Sequence, residues 1–209
     1  MAFTLYDYFR SSASYRVRIA LNLKQLDYAC VPVSLLNNEQ HSSEYHAINP
    51  SGLVPTLLQH QTLLHQSLAI IEYLDECYPS SYLLPRNIIK RAQCRAFALA
   101  IACDIHPLNN LRVLKQLEQQ FNCTPAQKTH WYHHWLHQGF TALEQQLQQS
   151  PYTERFCFGT HPTLADVCLI PQVYNAKRFE FNLTPFPTIT AIYHHCEQLE
   201  PFKKAAPES

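Results

Sequence analysis

The sequence predicts an α/β unit followed by an all-helical unit. Up to about residue 85, short aromatic-rich runs alternate with amphipathic stretches, in the order β-α-β-(α)-β-β-α. From about Ile88 onward, the apolar residues recur at helical spacing. The segment PSSYLLPRN, Pro79–Asn87, separates the two patterns and has the proline and serine content of a linker. We therefore expect two domains, at residues 1–84 and 88–209.

The first predicted strand and helix meet at a group of hydroxyl side chains. TLYDYF, at residues 4–9, is short and rich in aromatic residues, which is typical of a strand. SYRVRIALNLK, at residues 14–24, has apolar residues at helical spacing. The N-cap of this helix is expected at Ser11, Ser12 or Ser14, because a serine hydroxyl accepts a hydrogen bond from the exposed N–H groups of a first helical turn.

The rest of the first half predicts a strand, a hairpin and a helix. YACVPVSL, at residues 28–35, is typical of a strand, and Pro32 favours a sheet edge or a bulge because it has no N–H to donate. VPTLLQHQTLLHQ, at residues 54–66, predicts a β-hairpin that turns at its central His-Gln pair. SLAIIEYLDECY, at residues 67–78, predicts an amphipathic helix with Ser67 as its N-cap.

The second half predicts helices only. Helical spacing runs from Arg91 to Phe121, but Pro107 interrupts it, since a proline inside a helix removes a backbone donor. Three more segments show helical spacing, at residues 127–149, 162–179 and 188–199. Thr163 followed by Asp166 is a variant of the capping box at the start of one of these helices. We expect these two residues to support folding rather than chemistry.

Composition narrows the classes of function. The formal net charge is zero, which weighs against general binding to nucleic acids or anionic membranes. The chain has 3 glycines and contains neither GxGxxG nor GxxxxGK[ST], so folds that cradle nucleotide phosphates are not expected. No run approaches the about 18 apolar residues of a membrane span, and no basic and apolar leader precedes the first strand. The 8 cysteines form no CxxC pair, which favours reduced thiols and a cytoplasmic protein.

Four histidines raise the question of a metal site. His130, His133, His134 and His137 occur at helical spacing, so three of them share one helical face, and this arrangement can bind a divalent cation. The segment lacks the glutamate of an HExxH motif. We therefore expect no metal at these histidines.

Several segments resemble one protein family. SSASYRVRIAL, at residues 11–21, resembles the SSCSxRVRIAL signature of zeta-class glutathione transferases. NPSGLVPTL, LHQSLAIIEYLDE, DIHPLNNLRVL and ADVCLIPQVYNAKRF resemble further segments of that class, in the same order and spacing. The resemblance extends from Thr4 to about Phe202. One departure is Ala13, which stands where the family has a cysteine, so the serine hydroxyls carry the chemistry expected there.

The resemblance implies a fold, a cofactor and an activity. The fold is α/β plus all-α, with a thioredoxin-like N-terminal domain that binds glutathione and a helical glutathione-transferase C-terminal domain that binds the substrate. The family forms homodimers and uses glutathione for the cis-trans isomerisation of maleylacetoacetate to fumarylacetoacetate, in tyrosine and phenylalanine catabolism. Three alternatives stay open: maleylpyruvate isomerisation, conjugation of glutathione to haloacids or other small electrophiles, and a transferase-like binding protein without catalysis.

Four residues are catalytic candidates. Ser11 is expected to donate to the glutathione sulfur, where the positive potential of a helix N-terminus favours the thiolate, although an ordinary cap is the alternative. Arg10 lies next to this serine, and Arg178 resembles the substrate arginine of the family. A guanidinium suits a dicarboxylate because it binds a carboxylate through two parallel hydrogen bonds, and a solvated surface charge is the alternative for each arginine. His106 is placed to bind glutathione or substrate, or to move a proton, unless it is structural.

Other residues are expected to hold glutathione. Val54 precedes Pro55, which is expected to be cis, where the family pairs its main chain with the cysteinyl part of the tripeptide; an ordinary trans-proline that opens a strand is the alternative. Gln66 and Ser67 resemble the family's pair for the γ-glutamyl carboxylate, at a helix N-terminus that favours anions. Gln40 resembles a residue that contacts the glycyl end. The same resemblance adds Ser11, Ser12, His106, Asn110 and Arg112.

Overall fold

The computed structural model describes residues 3–207, which form two compact units. One unit contains residues 3–83 together with 198–207, and the other contains Leu84–Glu197. Strands and helices are numbered along the whole chain. No helix among the residues described is both long enough and apolar enough to cross a membrane.

The first unit is built on a mixed four-stranded sheet in the order β2-β1-β3-β4. Strand β1 pairs in parallel with β2 and antiparallel with β3, and β3 pairs antiparallel with β4. The strands are β1 (Phe3–Asp7), β2 (Tyr28–Pro32), β3 (Thr56–Gln59) and β4 (Thr62–His65). Strand β2 lies at a sheet edge, as Pro32 predicted, and it ends at that proline, earlier than expected.

Three helices of the first unit follow the predicted order. They are α1 (Ser12–Leu23), α2 (Ser43–Ile48) and α3 (Ser67–Cys77). Helix α1 is buried over most of its length, and Val17, Ile19 and Leu21 are fully buried. The predicted arrangement β-α-β-(α)-β-β-α is confirmed.

The C-terminal segment departs from the predicted domain boundaries. Residues 198–207 were expected to belong to the helical domain, but they pack in the first unit, where Glu200–Ala205 forms helix α9. The Arg18 Nε donates to the Ala205 carbonyl at 2.9 Å, and Phe202 and Ala205 are fully buried. A sequence pattern shows that such residues are apolar but not which surface they cover.

The second unit is helical throughout, as predicted. Its helices are α4 (Ile88–Leu99), α5 (Leu111–Phe121), α6 (Pro125–Gln149), α7 (Leu164–Arg178) and α8 (Pro187–Cys196). Helix α4 continues into a π-helical turn, Ala100–Ile105, and the chain leaves helical geometry near Pro107 before α5 begins.

Helix α7 is the central helix of this unit and begins with the predicted capping box. The N–H and hydroxyl groups of Thr163 both donate to Asp166 Oδ2 at 2.8 Å. The Cys157 N–H donates to Asp166 Oδ1 at 2.8 Å. Burial raises the pKa of the Asp166 carboxyl, and these donors oppose the rise. The predicted capping box is therefore confirmed.

Candidate active site

Ser11 is the N-cap of α1. Its Oγ accepts a hydrogen bond from the Ser14 N–H at 3.3 Å, and its own N–H donates to the Tyr8 carbonyl at 2.8 Å. The cap uses the hydroxyl oxygen only as an acceptor, so the hydroxyl proton can still be donated. Capping and donation to a sulfur are therefore compatible at this half-buried side chain.

The turn that carries Ser11 is held by a buried ion pair. Arg18 Nη1 contacts both carboxylate oxygens of Asp7 at 2.7 Å. Its Nη2 donates to the Phe9 carbonyl at 2.9 Å, next to the candidate Arg10. The sequence gives no sign of a role for Asp7 and Arg18, because each alone has the pattern of an ordinary charged residue.

Arg10 and Ser12 occupy different environments beside Ser11. Arg10 is exposed, and its guanidinium carbon lies 5.0 Å from the centre of the Phe9 ring. Ser12 is buried as the first residue of α1. Arg10 is thus accessible to a soluble ligand, whereas Ser12 is enclosed by its own unit.

Gln40 and Val54 belong to the loops that precede β3. Gln40 lies in a short 3₁₀ turn, Glu39–His41, and is only 8% exposed. Within the described part of the chain, its buried Oε1 has no hydrogen-bond partner. The Val54–Pro55 peptide bond is cis, as expected. The Leu53 carbonyl accepts hydrogen bonds from Tyr45 Oη and Asn49 Nδ2, both at 2.7 Å, so the backbone before Val54 is anchored.

Gln66 and Ser67 lie at the start of α3, but the N-cap is Gln66 and not Ser67 as predicted. Gln66 occupies the N-cap position, with φ 69° and ψ 117°, and its side chain makes no capping hydrogen bond. Ser67 is the first helical residue and is buried. Its Oγ accepts a hydrogen bond from Arg16 Nη1 at 3.3 Å instead of capping the helix. The prediction of Ser67 as the N-cap is therefore wrong, because the non-helical dihedral angles fall on Gln66 and Ser67 already lies in the first helical turn.

Three candidates of the second unit lie close together after the π-helical turn. Asn110 Nδ2 lies 3.4 Å from His106 Nε2. Asn110 is also the N-cap of α5, since its Oδ1 accepts from the Arg112 N–H at 3.1 Å. The Arg112 side chain is exposed. Asn110 therefore links the position of His106 to the start of α5.

Gly139 fixes the position of the turn that precedes His106. A Cβ atom at Gly139 would lie 2.3 Å from Ile105 Cδ1 and 2.4 Å from Ile105 Cγ1, far inside contact distance. Ile105 is buried and is the last residue of the π-helical turn. Only a glycine on α6 permits this close approach.

A Gly139→Ala variant is expected to lose about 1–3 kcal/mol of unfolding free energy, because Ile105 must move in a packed core. Ile105→Ala alone is expected to lose about 2–5 kcal/mol through the cavity that it leaves. The double variant should lose less than the sum of the two, since the Gly139 methyl then enters the vacated space. Urea denaturation of the three variants measures this coupling, and strict additivity would contradict the steric account.

Arg178 is the last residue of α7 and is exposed. Its Nη1 donates to Asn175 Oδ1 at 3.3 Å, one turn earlier on the same helix. Burial raises the pKa of the Tyr132 phenol, and the nearby positive charge of Arg178 opposes that rise. Arg178 thus lies at the end of the central helix, with its guanidinium accessible.

Three of the four histidines of α6 make separate contacts. His133 Nε2 lies 2.7 Å from the Phe179 carbonyl oxygen. The His134 ring makes a T-shaped contact with Trp135, and the His137 ring makes one with Phe186. Among residues 3–207, no group of three or more His, Cys, Asp or Glu side chains is arranged to hold a metal ion.

The candidate residues divide between the two units. Arg10, Ser11, Ser12, Gln40, Val54, Gln66 and Ser67 belong to the first, and His106, Asn110, Arg112 and Arg178 belong to the second. Within the units, the structure joins His106 to Asn110 and joins Ser67 to Arg16, which the sequence analysis did not select.

Comparison with known proteins gives the family. Residues 1–76 match the glutathione S-transferase N-terminal domain, and residues 136–193 match the glutathione S-transferase C-terminal domain. The probable maleylacetoacetate isomerase of Vibrio cholerae serotype O1 is 47% identical over 100% of this chain and 97% of its own length.

Two solved structures extend this similarity. A holo maleylpyruvate isomerase, described as a bacterial zeta-class glutathione S-transferase, has a TM-score of 0.96 and 44% identity, and the match covers 98% of this chain and 96% of that one. A maleylacetoacetate isomerase from Anaeromyxobacter dehalogenans 2CP-1, with glutathione bound in its active site, has a TM-score of 0.88 and 38% identity over 99% of this chain and 95% of that one.

The chain therefore belongs to the glutathione S-transferase family. Its full-length relatives place it in the zeta class, together with the maleylacetoacetate isomerases. The predicted fold, a thioredoxin-like domain with a helical glutathione-transferase domain, is confirmed.

Proposed function

We propose that this protein is a glutathione-dependent maleylacetoacetate isomerase of tyrosine and phenylalanine catabolism. The observation that carries the proposal is the hydroxyl of Ser11, which caps α1 through its oxygen and retains a proton to donate. That geometry supplies what a bound thiolate needs, in a family whose relatives are named as isomerases of this substrate.

The residues present fit glutathione as the cofactor. The buried Oε1 of Gln40 can accept a hydrogen bond from a ligand amide, and within the described residues it makes none. The first N–H groups of α1 and α3 present positive potential to anionic groups. We assign the γ-glutamyl carboxylate to Gln66 and Ser67, the cysteinyl main chain to Val54, and the glycyl end to Gln40.

When bound, glutathione supplies a thiolate that adds reversibly to the cis double bond, which rotates as a single bond before the thiolate leaves. Ser11 would stabilise that sulfur as the thiolate by donating a hydrogen bond from its hydroxyl. Lowering the pKa of a thiol from about 8.5 by about two units corresponds to about 2.7 kcal/mol of preference for the thiolate. The hydroxyl and the helix N-terminus share that task, without a cysteine at Ala13.

The remaining candidates orient the substrate. We assign its carboxylates to Arg178 and Arg10, whose exposed guanidinium groups bind carboxylates in bidentate fashion. We assign a further part in glutathione binding to His106, Asn110 and Arg112. His106 can also exchange a proton with the enolate oxygen of the substrate, in an orientation supported by Asn110.

The proposal is tested by retention on glutathione resin followed by isomerisation of maleylacetone with and without glutathione. Retention together with glutathione-dependent turnover is the expected result. Retention without isomerisation, but with conjugation of a haloacid, would make the protein a conjugating transferase. Neither retention nor turnover would indicate a binding protein that has kept the fold alone.

Maleylpyruvate is the second candidate substrate, and a specific observation favours it. The holo maleylpyruvate isomerase superimposes on this chain with a TM-score of 0.96, and the two are 44% identical. Both substrates are dicarboxylates with a cis double bond conjugated to a ketone, so the same arginines would serve. The ratio of kcat/KM for the two substrates decides between them.

Replacement of Arg178 separates isomerisation from conjugation. Arg178→Ala is expected to lower kcat/KM for the dicarboxylate isomerisation about 30-fold, since a charge-assisted pair with a carboxylate is lost. Conjugation of a neutral electrophile should change less than about threefold, because it presents no carboxylate to bind. Lys177→Ala, which removes a neighbouring exposed cation that lies over the Tyr193 ring, is the matched control. Unchanged isomerisation in Arg178→Ala would remove this residue from the site.

We also propose that the protein is a cytoplasmic homodimer. All 8 cysteines are free thiols, which suits a reducing compartment.

Ile88 and Ile89, on the first turn of α4, are 74% and 66% exposed, and Leu99 is exposed on the same helix. Such apolar residues suit a surface covered by a second copy of the chain. Light scattering of the wild-type protein should give twice the mass of one chain. The double variant, Ile88→Glu with Ile89→Glu, should give the mass of one chain.

A further inference from the structure

Arg16 is a buried cation that contacts the first residue of α3. It is 2% exposed and is the largest of the fully buried side chains. It leaves α1 on the side of α3, and its Nη1 donates to Ser67 Oγ at 3.3 Å. Arg18, two residues further, engages Asp7 and the C-terminal segment instead. The two arginines of the RVR segment therefore act on different parts of the unit.

This contact determines what the Ser67 hydroxyl can do. A guanidinium has hydrogen-bond donors and no acceptor, so Ser67 Oγ must be the acceptor in the pair. The single hydroxyl proton of Ser67 is then directed away from Arg16 and can be donated to another group. A hydroxyl whose oxygen accepts a hydrogen bond from a cation is polarised and becomes a stronger donor. Hydrogen bonds that involve a charged group are also stronger than those between neutral groups.

We propose that Arg16 is a positioning residue for glutathione, which acts through Ser67 on the α-carboxylate of the γ-glutamyl group. This inference rests on the proposed function, because it assigns that carboxylate to Gln66 and Ser67. Arg16 orients the Ser67 hydroxyl as a donor and adds a full positive charge to the partial charge of the α3 N-terminus. Recognition of the carboxylate then depends on a residue that the ligand does not touch.

A cycle of protein and ligand changes tests the proposal. The two ligands are glutathione and an analogue in which hydrogen replaces the γ-glutamyl α-carboxylate, and calorimetry gives Kd for each. The wild-type protein is expected to prefer glutathione about 100-fold, and Arg16→Met should reduce this preference to about tenfold. Arg155→Met, the same change at an exposed arginine, should leave the preference unaltered. A purely structural role for Arg16 would weaken binding of both ligands equally and would overturn the proposal.

A second variant covers the case in which Arg16→Met does not fold. Ser67→Ala keeps Arg16 in place and removes the hydroxyl, and it should reduce the preference for glutathione by a similar factor. An unchanged preference in Ser67→Ala would overturn the proposal. A wild-type protein that binds glutathione with this preference but isomerises nothing would overturn the proposed function alone. Failure of the wild-type protein to bind glutathione would overturn both.

Discussion

A Ser11→Ala variant is expected to lose about 100-fold in kcat/KM for glutathione-dependent isomerisation. The loss follows from the removal of the only side-chain donor that we assign to the thiolate, and single donors to a developing or fixed anion contribute about 10²–10³-fold in other enzymes. The pKa of glutathione in the binary complex, followed by ultraviolet thiolate absorbance, should rise toward the value of about 8.5 for a free thiol. The rate and the pKa should change together.

The loss of a helix cap must be separated from the loss of the donor. Ser42 caps α2 in the same way as Ser11 caps α1, since its Oγ accepts from the Tyr45 N–H at 3.1 Å. Ser42→Ala and Ser11→Ala should each lower the free energy of unfolding by about 1 kcal/mol. Only Ser11→Ala should change the rate, and Ser11→Thr, which restores a hydroxyl, should recover most of it. Turnover by Ser11→Ala at the wild-type rate would refute the thiolate mechanism.

Local patterns predicted most of the secondary structure. The aromatic run before Ser11 predicted strand β1, and the helical spacing after it predicted helix α1. Pro32 predicted the sheet edge at β2. Each of these features depends only on residues close together in the sequence. The geometry of Ser11 allows both the cap and the catalytic role that its position in the sequence suggests. The capping box of Thr163 and Asp166 was equally predictable from the sequence, since its two members lie three residues apart.

Two of the missed features join distant parts of the chain. Arg16 and Ser67 are separated by 51 residues, and Arg18 and Ala205 by 187. Periodicity gives the face of a helix on which a residue lies but not its partner in space, so these arginines had the appearance of solvated charges. The N-cap of α3 is Gln66 rather than Ser67, because the non-helical dihedral angles fall on Gln66, whose side chain gives no capping signal in the sequence.

An Arg18→Met variant is expected to destabilise the first unit by about 3–5 kcal/mol, the largest stability effect that we predict. The change leaves the buried Asp7 carboxylate without its guanidinium, and it removes the donors to the carbonyls of Phe9 and Ala205. Asp7 and Arg18 are separated by 11 residues and both side chains are largely buried, with 10% and 8% exposed, so solvent screens this pair little. The C-terminal segment should become accessible to trypsin at Lys203 and Lys204.

The matched control is Lys128→Met, which removes one member of the more exposed pair with Glu118 and should cost about 0–1 kcal/mol. Both tryptophans, Trp131 and Trp135, belong to the second unit, so their fluorescence reports that unit, and circular dichroism combined with trypsin digestion reports the first. A second change, Asp7→Leu, should recover part of the loss in Arg18→Met, since two apolar side chains leave no unpaired charge. If Arg18→Met were as stable as Lys128→Met, the ion pair could not be what holds the turn before Ser11.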